Sequence, residues 1–494
     1  MMVLNQLIQD LTSPLSVDVM VTGLSMDSRT VTAGDLFIAT AKDMPQRQLH
    51  ITQAENAGAV AIVVETEQSA ITSSLPVVMI NDLDQHISLL ADRFYHQPSQ
   101  AMTVMAVTGT NGKTSVSQFV AQMLEISGEP CGVIGTLGVG RYGQLTESGM
   151  TTPSPVEVQH QLADMRDAGI KFVVIEASSH ALEQGRLNAV NIDIAAFTNL
   201  SRDHLDYHGD MQRYGAAKMK LFDLSGVRSA VLNIDDDFVS ESATNLAAKG
   251  INTCLVGQHP SAFVSAQNIG MTMTGMQFDF MMKASKKTVS VSLLGEFNID
   301  NILVTAGILS QLGWSAEQIA NHLPDLKAVP GRMQLVQQPA FPTVVVDFAH
   351  TPSALALALI AMRKHVATTS ALWCVFGCGG NRDRGKRALM GAAAEQSADH
   401  LVITDDNPRD EASEYIHNEI LGGLSHPERA MVKTERRDAI FYAIQTAQHE
   451  DMVLIAGKGH ENYQEKQGVR TPFSDVEVAL DALRQREHNS GVSV

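Results

Sequence analysis

The stretch MTVMAVTGTNGKTSVSQFVAQMLEIS, residues 102–127, joins an apolar run to a helix-like segment through a glycine-containing loop. The run predicts a buried parallel strand, and the loop 108–114 predicts a phosphate site, because its backbone N–H groups and the helix N-terminus suit phosphate oxygens. Lys113 would add a positive charge, and the Thr114 hydroxyl could reach Mg²⁺. The two glycines are closer together than in the general P-loop pattern, so an ordinary glycine turn is the alternative.

Beyond this stretch, further apolar runs end in polar residues, as buried parallel strands do when they deliver side chains to the carboxyl edge of a sheet. Examples are KFVVIE, NIDIAAFTNL, TVVVDFAHTP, ALWCVFGCGG, HLVITDDNPRD and MVLIAGKGHEN. We predict an α/β chain of three domains. These are a small N-terminal α/β domain (1–98), a central P-loop-type ATPase domain with a mostly parallel sheet (99–329) and a C-terminal Rossmann-like α/β domain (330–494).

The composition narrows the class of protein. A net charge of −18 over 494 residues argues against a nucleic-acid or anionic-membrane binder, whose affinity would come from a basic surface. No apolar run approaches the roughly 18 residues of a membrane span, and MMVLNQLIQD lacks a secretory signal pattern. We expect a soluble cytoplasmic monomer that acts on small molecules. Its scattered cysteines predict reduced thiols rather than a disulfide framework.

Two residues at predicted strand ends are candidate metal ligands. Glu176 ends KFVVIE, and His204 lies in NLSRDHLDYHGD after the next run. A carboxylate and an imidazole there could complete a Mg²⁺ site with bound phosphates, although either alone is more often structural. Lys218, in MQRYGAAKMKLFDL, has the context of an ordinary solvated lysine.

The segment TDDNPRD, residues 404–410, follows the apolar run LVI. Asn-Pro with flanking aspartates is ordinary turn chemistry. The residues alone therefore leave open whether the segment is a charged turn or a binding site.

An ordered set of motifs covers most of the chain: TGTNGKTS, EASSHAL, NLSRDHLDYHG, AAKMKLF, GEFNIDN, PGRMQ, VDFAHTP, FGCGGNRDRGKR, TDDNPRD and GKGHE. Together they resemble the Mur ligase family, closely over the central and C-terminal domains and weakly over the first. The resemblance implies ATP-driven amide bond formation in peptidoglycan precursor synthesis. The D-glutamate γ-carboxylate of UDP-N-acetylmuramoyl-L-alanyl-D-glutamate would be phosphorylated, and an amine would then displace the phosphate.

The resemblance also assigns residues by position. ATP would be held by Gly109, Thr110, Asn111, Gly112, Lys113, Thr114, Ser115, Asn301, Arg332 and Asp347. Two Mg²⁺ ions would be served by Thr114, Glu176, His204 and a CO₂-derived carbamate on Lys218. The catalytic residues would be Lys113, Glu176, His204 and Lys218. The UDP-linked precursor would contact Met26, Ser28, Thr151, Thr152, Ser178, Gln184 and Arg186. Helix capping is the alternative role for the serines and threonines.

The amine substrate distinguishes members of the family. The resemblance implies that the amine substrate is bound by Arg382, Asp406, Asn407, Pro408, Arg409, Gly457 and Glu461. Diaminopimelate carries a carboxylate and an ammonium at its far end, and a guanidinium can take the carboxylate bidentately. Lysine-adding relatives lack the arginine of DNPR, so the resemblance predicts meso-2,6-diaminopimelate. The alternatives are a ligase that adds lysine or another amino acid, a folylpolyglutamate synthase-like enzyme, and a P-loop ATPase that is not a ligase.

Overall fold

The computed structural model describes residues 1–66, 71–338 and 341–490, with side chains to residue 489. The chain forms two compact units. The first comprises Met1–Val264 with Leu303–Trp314, and the second comprises Ser265–Ile302 with the chain from Ser315 onward. The domain boundaries at 98/99 and 329/330 stay predictions.

The start of the first unit is a small α/β layer. Strands β3, β4, β5 and β6 form a parallel sheet in that order, and helices α2 and α3 belong to the same segment. Asp43 caps α2 by accepting a hydrogen bond from Gln46 N at 3.1 Å. The elements are β1 Met2–Val3, α1 Leu4–Leu7, β2 Met20–Val21, β3 Gly23–Ser25, β4 Asp35–Ile38, α2 Met44–Asn56, β5 Ala61–Glu65, β6 Val77–Ile80 and α3 Leu83–Phe94.

Seven strands of a larger, ten-stranded sheet lie in the first unit, in the order β13-β12-β11-β7-β10-β8-β9. All neighbours are parallel except β8 and β9. The carboxyl ends of β7, β10 and β11 therefore share one edge. The elements are β7 Thr103–Thr108, α4 Lys113–Ile126, β8 Cys131–Gly135, β9 Gly138–Arg141, α5 Pro155–Asp167, β10 Phe172–Glu176, α6 Ser179–Glu183, β11 Ile194–Phe197, α7 Leu205–His208, α8 Met211–Met219, β12 Ser229–Asn233, α9 Asp237–Ala248 and β13 Asn252–Val256.

The second unit contains a sheet with strand order β17-β18-β22-β19-β20-β21, parallel except for β17. Alternate residues of β19 pack into hydrophobic clusters on the two faces of the sheet, which explains its unbroken apolar sequence. The elements from residue 264 onward are β14 Val264–Thr272, β15 Gly275–Met282, β16 Ser285–Val291, α10 Phe297–Gln311, α11 Ala316–His322, β17 Gln334–Val336, β18 Thr343–Asp347, α12 Pro352–Arg363, β19 Leu372–Phe376, α13 Gly385–Ser397, β20 His400–Ile403, α14 Ser413–Leu421, β21 Met431–Val432, α15 Arg436–Thr446, β22 Met452–Ala456, β23 Tyr463–Lys466, β24 Val469–Pro472 and α16 Asp475–Ser490.

The predicted α/β class with largely parallel sheets is confirmed. The expectation of unpaired thiols is also confirmed, since all four cysteines are buried and form no disulfide. Within residues 1–66, 71–338 and 341–490, no helix is long and apolar enough to cross a membrane.

Candidate active site

The phosphate loop lies between β7 and α4, in the middle of the larger sheet. Gly109 has a φ of +139°, and a Cβ there would lie 1.9 Å from Thr198 Oγ1, so the position requires glycine. Helix α4 begins after Gly112, whose lack of a side chain leaves the first amides uncapped. These amides and the helix dipole suit an anion.

Hydrogen bonds hold this loop in place. Asn199 accepts from Thr110 N through its carbonyl oxygen at 2.8 Å and from Asn111 N through Oδ1 at 3.0 Å. Lys113 Nζ donates to the carbonyl oxygens of Gly109 and Thr110 at 2.8 and 3.0 Å. These bonds fix the conformation of the loop and hold the Lys113 ammonium against its backbone.

Glu176 ends β10 with its side chain fully buried and hydrogen-bonded. Its Oε2 accepts from Thr114 Oγ1 at 2.9 Å and from Thr136 Oγ1 at 3.0 Å, while Oε1 accepts from Thr136 N at 2.9 Å. Thr136 was not predicted from the sequence. It follows β8, the neighbour of β10, so the rule that polar residues follow buried strands could have found it.

Lys218 is only 1% exposed, so its interpretation as a solvated lysine is wrong. Its Nζ donates to Gly109 O at 2.7 Å and lies 4.5 Å from the centre of the Tyr214 ring. Burial lowers the pKa of the Lys218 ammonium to about 6, and the charge of Lys113 acts in the same direction. The amine is therefore largely neutral near pH 7.

His204 precedes α7 with a φ of +51°. Its side chain is about half exposed, with Nε2 3.5 Å from Asp203 Oδ2, and its ring contacts the His180 ring edge-on at 5.0 Å between centres. The imidazole is thus open to solvent and in an aromatic cluster.

The oxygen atoms around Glu176 suit a Mg²⁺ ion that is bound partly by the protein and partly by substrate phosphates and water. The described residues contain no group of three or more His, Cys, Asp or Glu side chains that could hold a metal ion. Mg²⁺ is usually bound by one or two carboxylates together with waters and substrate phosphates. The Glu176 carboxylate beside the Thr114 hydroxyl, at the end of the phosphate loop, is a donor set of that kind.

Several predicted precursor contacts form one hydrogen-bonded chain. Thr152 Oγ1 donates to Glu176 O at 2.6 Å, and Thr152 O accepts from Arg186 Nη1 at 2.6 Å. Arg186 also donates through Nη2 to Gln184 Oε1 at 2.7 Å. The arginine and the amide are therefore fixed relative to the end of β10.

Ser178 and Thr151 join the same region. Ser178 Oγ caps α6 by accepting from Ala181 N at 3.2 Å, so the capping alternative is confirmed for this serine. Thr151 Oγ1 lies 3.0 Å from Thr136 Oγ1. The structure thus brings the predicted precursor residues of the larger sheet together at one edge.

Met26 and Ser28 lie just after β3 in the small sheet. Ser28 is 8% exposed, and its Oγ donates to Gln53 Oε1 at 2.7 Å. Met26 packs, partly buried, against the core of that layer.

Three predicted ATP residues lie in the second unit. Asp347 ends β18 and accepts from Met333 N and Ala349 N, both at 2.8 Å, while burial raises the pKa of its carboxyl. The Arg332 guanidinium lies 4.8 Å from the centre of the Phe348 ring.

Asn301 is the third of these residues and lies in α10. It is 5% exposed, and its Nδ2 donates to Asn298 Oδ1 at 3.0 Å. Its side-chain orientation is therefore set within the helix.

The Asn407 amide lies at the centre of the loop after β20. Its Oδ1 accepts from Lys458 Nζ at 3.0 Å and from Glu465 N at 2.9 Å, and its Nδ2 donates to Glu461 Oε2 at 2.9 Å. Lys458 Nζ, which is fully buried, also donates to Glu461 Oε2 at 2.8 Å. Sequence analysis missed Lys458, although it belongs to the quoted motif GKGHE.

Arg409 combines a turn conformation with a guanidinium that is anchored at one edge. Its φ is +51°, and its backbone bonds with Glu465 O and Gln467 N dock the loop on the β23–β24 hairpin. Its Nη1 donates to Gly380 O at 2.9 Å, and its Nε lies 3.7 Å from Glu465 Oε2. The turn and the site interpretations of TDDNPRD are therefore compatible.

Asp406 is buried against Gly457. Burial raises the pKa of the Asp406 carboxyl, and a Cβ at Gly457, where φ is +119°, would lie 2.6 Å from Asp406 Oδ2.

Arg382 is exposed on the loop after β19. A Cβ on Gly379 would lie 3.0 Å from Arg409 Nη1 and 3.5 Å from Arg382 Cγ. Both arginine side chains therefore lie next to Gly379.

Two family models match this chain. The model described as Mur ligase middle domain matches residues 107–309, and the model described as Mur ligase, glutamate ligase domain matches residues 331–459. The chain belongs to the Mur ligase family. In this Mur ligase, the phosphate loop, Glu176 and Lys218 lie within the first match, and the loop after β20 lies within the second.

Relatives similar to this Mur ligase cover nearly its whole length. A UDP-N-acetylmuramoyl-L-alanyl-D-glutamate–2,6-diaminopimelate ligase of Xanthomonas campestris pv. campestris (strain 8004) is 47% identical over 492 residues, 98% of each chain. The enzyme of that name from Xylella fastidiosa (strain 9a5c) is 45% identical over 488 residues, 98% of this chain and 97% of its own. A solved structure of an enzyme of that name has a TM-score of 0.73 and 36% identity, covering 95% of this chain and 96% of its own.

Proposed function

We propose that this Mur ligase uses ATP to join meso-2,6-diaminopimelate to the D-glutamate γ-carboxylate of UDP-N-acetylmuramoyl-L-alanyl-D-glutamate. The proposal rests on the charged and amide side chains at the loop after β20. There the Asn407 amide donates to the Glu461 carboxylate, and the Arg409 guanidinium, two residues further along the same loop, is anchored on Gly380 O. A cation and an anion held together suit the far end of diaminopimelate, which bears a carboxylate and an ammonium. The names of the relatives support this assignment.

The phosphate loop would bind ATP. Its uncapped amides and Lys113 would hold phosphate oxygens and neutralise charge as the γ-phosphoryl group moves to the precursor carboxylate. The other ATP residues would be Asn301, Arg332 and Asp347, with Arg332 already stacked on an aromatic ring.

The hydrogen-bonded chain at the end of β10 would hold the precursor. The Arg186 guanidinium suits a carboxylate or a diphosphate, and the hydroxyls of Thr151, Thr152 and Ser178 suit polar groups of the sugar and peptide. Because Thr152 also bonds to Glu176 O, binding of the precursor would be fixed relative to the phosphate loop.

The second step is attack of the diaminopimelate amine on the acyl phosphate. A carboxylate is a poor acyl donor, whereas its phosphate anhydride carries a leaving group, and the new amide bond forms as inorganic phosphate departs. The loop after β20 would orient the substrate through its far end, so that the reacting amine is presented in one geometry.

Thr114, Glu176 and His204 would hold Mg²⁺, which supplies neutralisation of phosphate charge when bound. Lys218, as a carbamate, would be an anionic ligand for a second ion. The neutral buried amine fits this modification, because only an unprotonated amine reacts with CO₂. We also propose that the protein is a cytoplasmic monomer with domains 1–98, 99–329 and 330–494, and that it has no nucleic-acid or membrane partner.

Phosphate release with the UDP-linked dipeptide tests the proposal. It should be stimulated by meso-diaminopimelate and not by lysine or by buffer. Release that follows lysine would identify a lysine-adding ligase, and release that ignores amino acids would identify a P-loop ATPase.

Arg409→Ala tests the residue that carries the proposal. It should raise the KM for diaminopimelate by roughly tenfold to a hundredfold, because a charged hydrogen bond contributes about 1.5–3 kcal/mol, and leave the KM for ATP near its original value. Arg470→Ala is the matched control, since Arg470 also lies near Glu465, at 3.6 Å, but on the hairpin rather than in the loop. Equal changes in both KM values would point to general damage.

A further inference from the structure

Arg436, at the start of α15, is a buried cation outside the predicted site. Its Nε and Nη2 donate to the two carboxylate oxygens of Asp475, both at 2.7 Å, and both side chains are fully buried. Such a bidentate pair is strongly directional. A buried ion pair is nevertheless weak evidence for stability, because desolvation opposes its attraction.

The remaining donors of Arg436 reach two strand ends. Nη2 donates to Ala456 O at 3.0 Å, and Nη1 lies 3.4 Å from Asp405 O. The next residues along the chain are Gly457 and Asp406, which begin the two loops assigned to the amino acid. One guanidinium therefore contacts a backbone carbonyl where each loop begins: that of Ala456, which ends β22, and that of Asp405, two residues after β20.

The two strands concerned are not neighbours. Strand β19 lies between β20 and β22, so their carboxyl ends are about 10 Å apart, twice the spacing of paired strands. No backbone ladder fixes that separation directly. A guanidinium has enough fixed donors to reach both ends while staying paired with Asp475, and an ammonium does not.

The charge of Arg436 also acts on the site. Asp406 is 9% exposed, and burial raises the pKa of its carboxyl. The charges of Arg436 and Lys458 oppose that rise, and those of Glu461 and Asp475 add to it. An ionised carboxylate next to Gly457 would favour an ammonium ligand. The same cation thus affects the geometry and the charge of the loops.

We propose that Arg436, held by Asp475, is a positioning residue for the amino-acid site: together with the Asn407–Lys458 and Asn407–Glu461 hydrogen bonds, it sets the separation of loops 405–409 and 457–461. The assignment of these loops to diaminopimelate rests on the proposed function. The link that Arg436 makes between the two loops, called the tether below, rests on the contacts of Arg436 with Asp475, Ala456 O and Asp405 O.

The test uses the full chain with Arg436→Met combined with Asp475→Leu, so that no unpaired charge is left buried. The KM for diaminopimelate should rise about tenfold or more, because a displacement of about 1 Å can cost a hundredfold, while the KM values for ATP and the precursor change less than about twofold. Amide hydrogen exchange should become faster at 405–409 and 457–461. Arg436→Lys, which keeps the charge, should give a smaller rise.

The matched control is Asp451→Asn, at the opposite edge of the same sheet. Asp451 is 5% exposed and accepts hydrogen bonds from Ala371 N at 2.8 Å and from Trp373 Nε1 at 3.2 Å. Its loss should lower the melting temperature and leave the KM for diaminopimelate unchanged. A similar rise in that KM would mean that any destabilised sheet gives the effect, and would overturn the proposal.

The remaining outcomes separate the two proposals. An unchanged KM for diaminopimelate in the folded double variant, or an equal change in all three KM values, overturns the tether and leaves the proposed function standing. If the wild-type protein does not use diaminopimelate, the proposed function fails. The tether is then decided by exchange at the two loops. If the double variant does not fold, Arg436→Lys decides by the same measurements.

Discussion

Lys218 should form a carbamate with CO₂, and Lys218→Met should abolish it. The Nζ atom is buried beside Gly109 O, and burial lowers its pKa from 10.5 to about 6. Carbamate formation requires the neutral amine. The environment of this lysine therefore controls how much reactive species is present.

The size of the effect follows from the two pKa values. At pH 7.5 an ordinary lysine is about 0.1% neutral, whereas a lysine with a pKa of about 6 is about 97% neutral. The concentration of reactive amine is thus about a thousandfold higher at Lys218. Among the lysine side chains, Lys218 should therefore dominate carbamate formation.

Carbon-13 NMR with labelled CO₂ measures this directly. Wild-type protein should give a lysine carbamate carbon signal that is lost in Lys218→Met. Lys220→Met is the matched control, because Lys220 lies two residues away with its side chain 46% exposed and paired with Glu183 at 3.0 Å. A signal that survives in Lys218→Met, or that is absent from the wild type, would refute the argument.

The same shift predicts a pH dependence of stability in CO₂-free buffer. Between about pH 6 and 10.5 the unfolded state keeps a proton on Lys218 that the folded state has lost, so the free energy of unfolding rises with pH in that window. Below about pH 6 both states are protonated and the contribution to the slope vanishes. Relative to Lys218→Met, the wild type should gain up to about 1.4 kcal/mol per pH unit in denaturant titrations. Parallel pH profiles would contradict the lowered pKa.

Two further substitutions test the amino-acid site. Gly457→Ala should raise the KM for diaminopimelate at least about tenfold in steady-state assays, because its Cβ would lie 2.6 Å from Asp406 Oδ2. Gly250→Ala, at a φ of +81° with nothing within 4 Å, should cost about 1–2 kcal/mol of stability and leave that KM unchanged. Lys458→Met removes the ammonium that holds Asn407 Oδ1, so it should raise the same KM while the KM for ATP stays constant. Equal effects on the two substrates would contradict this role for the lysine.

The order of the strands was harder to predict than their existence. Runs such as LWCVF predict strands buried on both faces, and the sheet confirms this, because β19 packs on both sides. The division into compact units could not be predicted, since it falls within β14 and α10. That division depends on tertiary contacts that local sequence patterns do not encode.

The site residues could be predicted where a motif fixes the backbone conformation. They were harder to predict where the role of a side chain depends on its burial. Glycine positions in the phosphate loop follow from close approach of the chain, as at Gly109. Lys218 has the sequence context of an ordinary solvated lysine and Lys458 was not predicted as a site residue, yet both are buried. Because lysine and arginine are rarely buried, sequence reasoning starts from the wrong expectation for such residues.

What a buried cation does in this protein depends on its partner rather than on its burial. Arg436 is paired with Asp475 and Lys458 with Glu461, so each ion pair can hold a loop in place. Among the residues that the structure describes, Lys218 has no carboxylate at ion-pair distance, and its Nζ bonds to a backbone carbonyl instead. Burial without a counter-charge favours the neutral amine, which is the nucleophilic form. The paired cations are therefore suited to positioning and the unpaired one to covalent modification, and the substitutions at Arg436, Lys458 and Lys218 test that division separately.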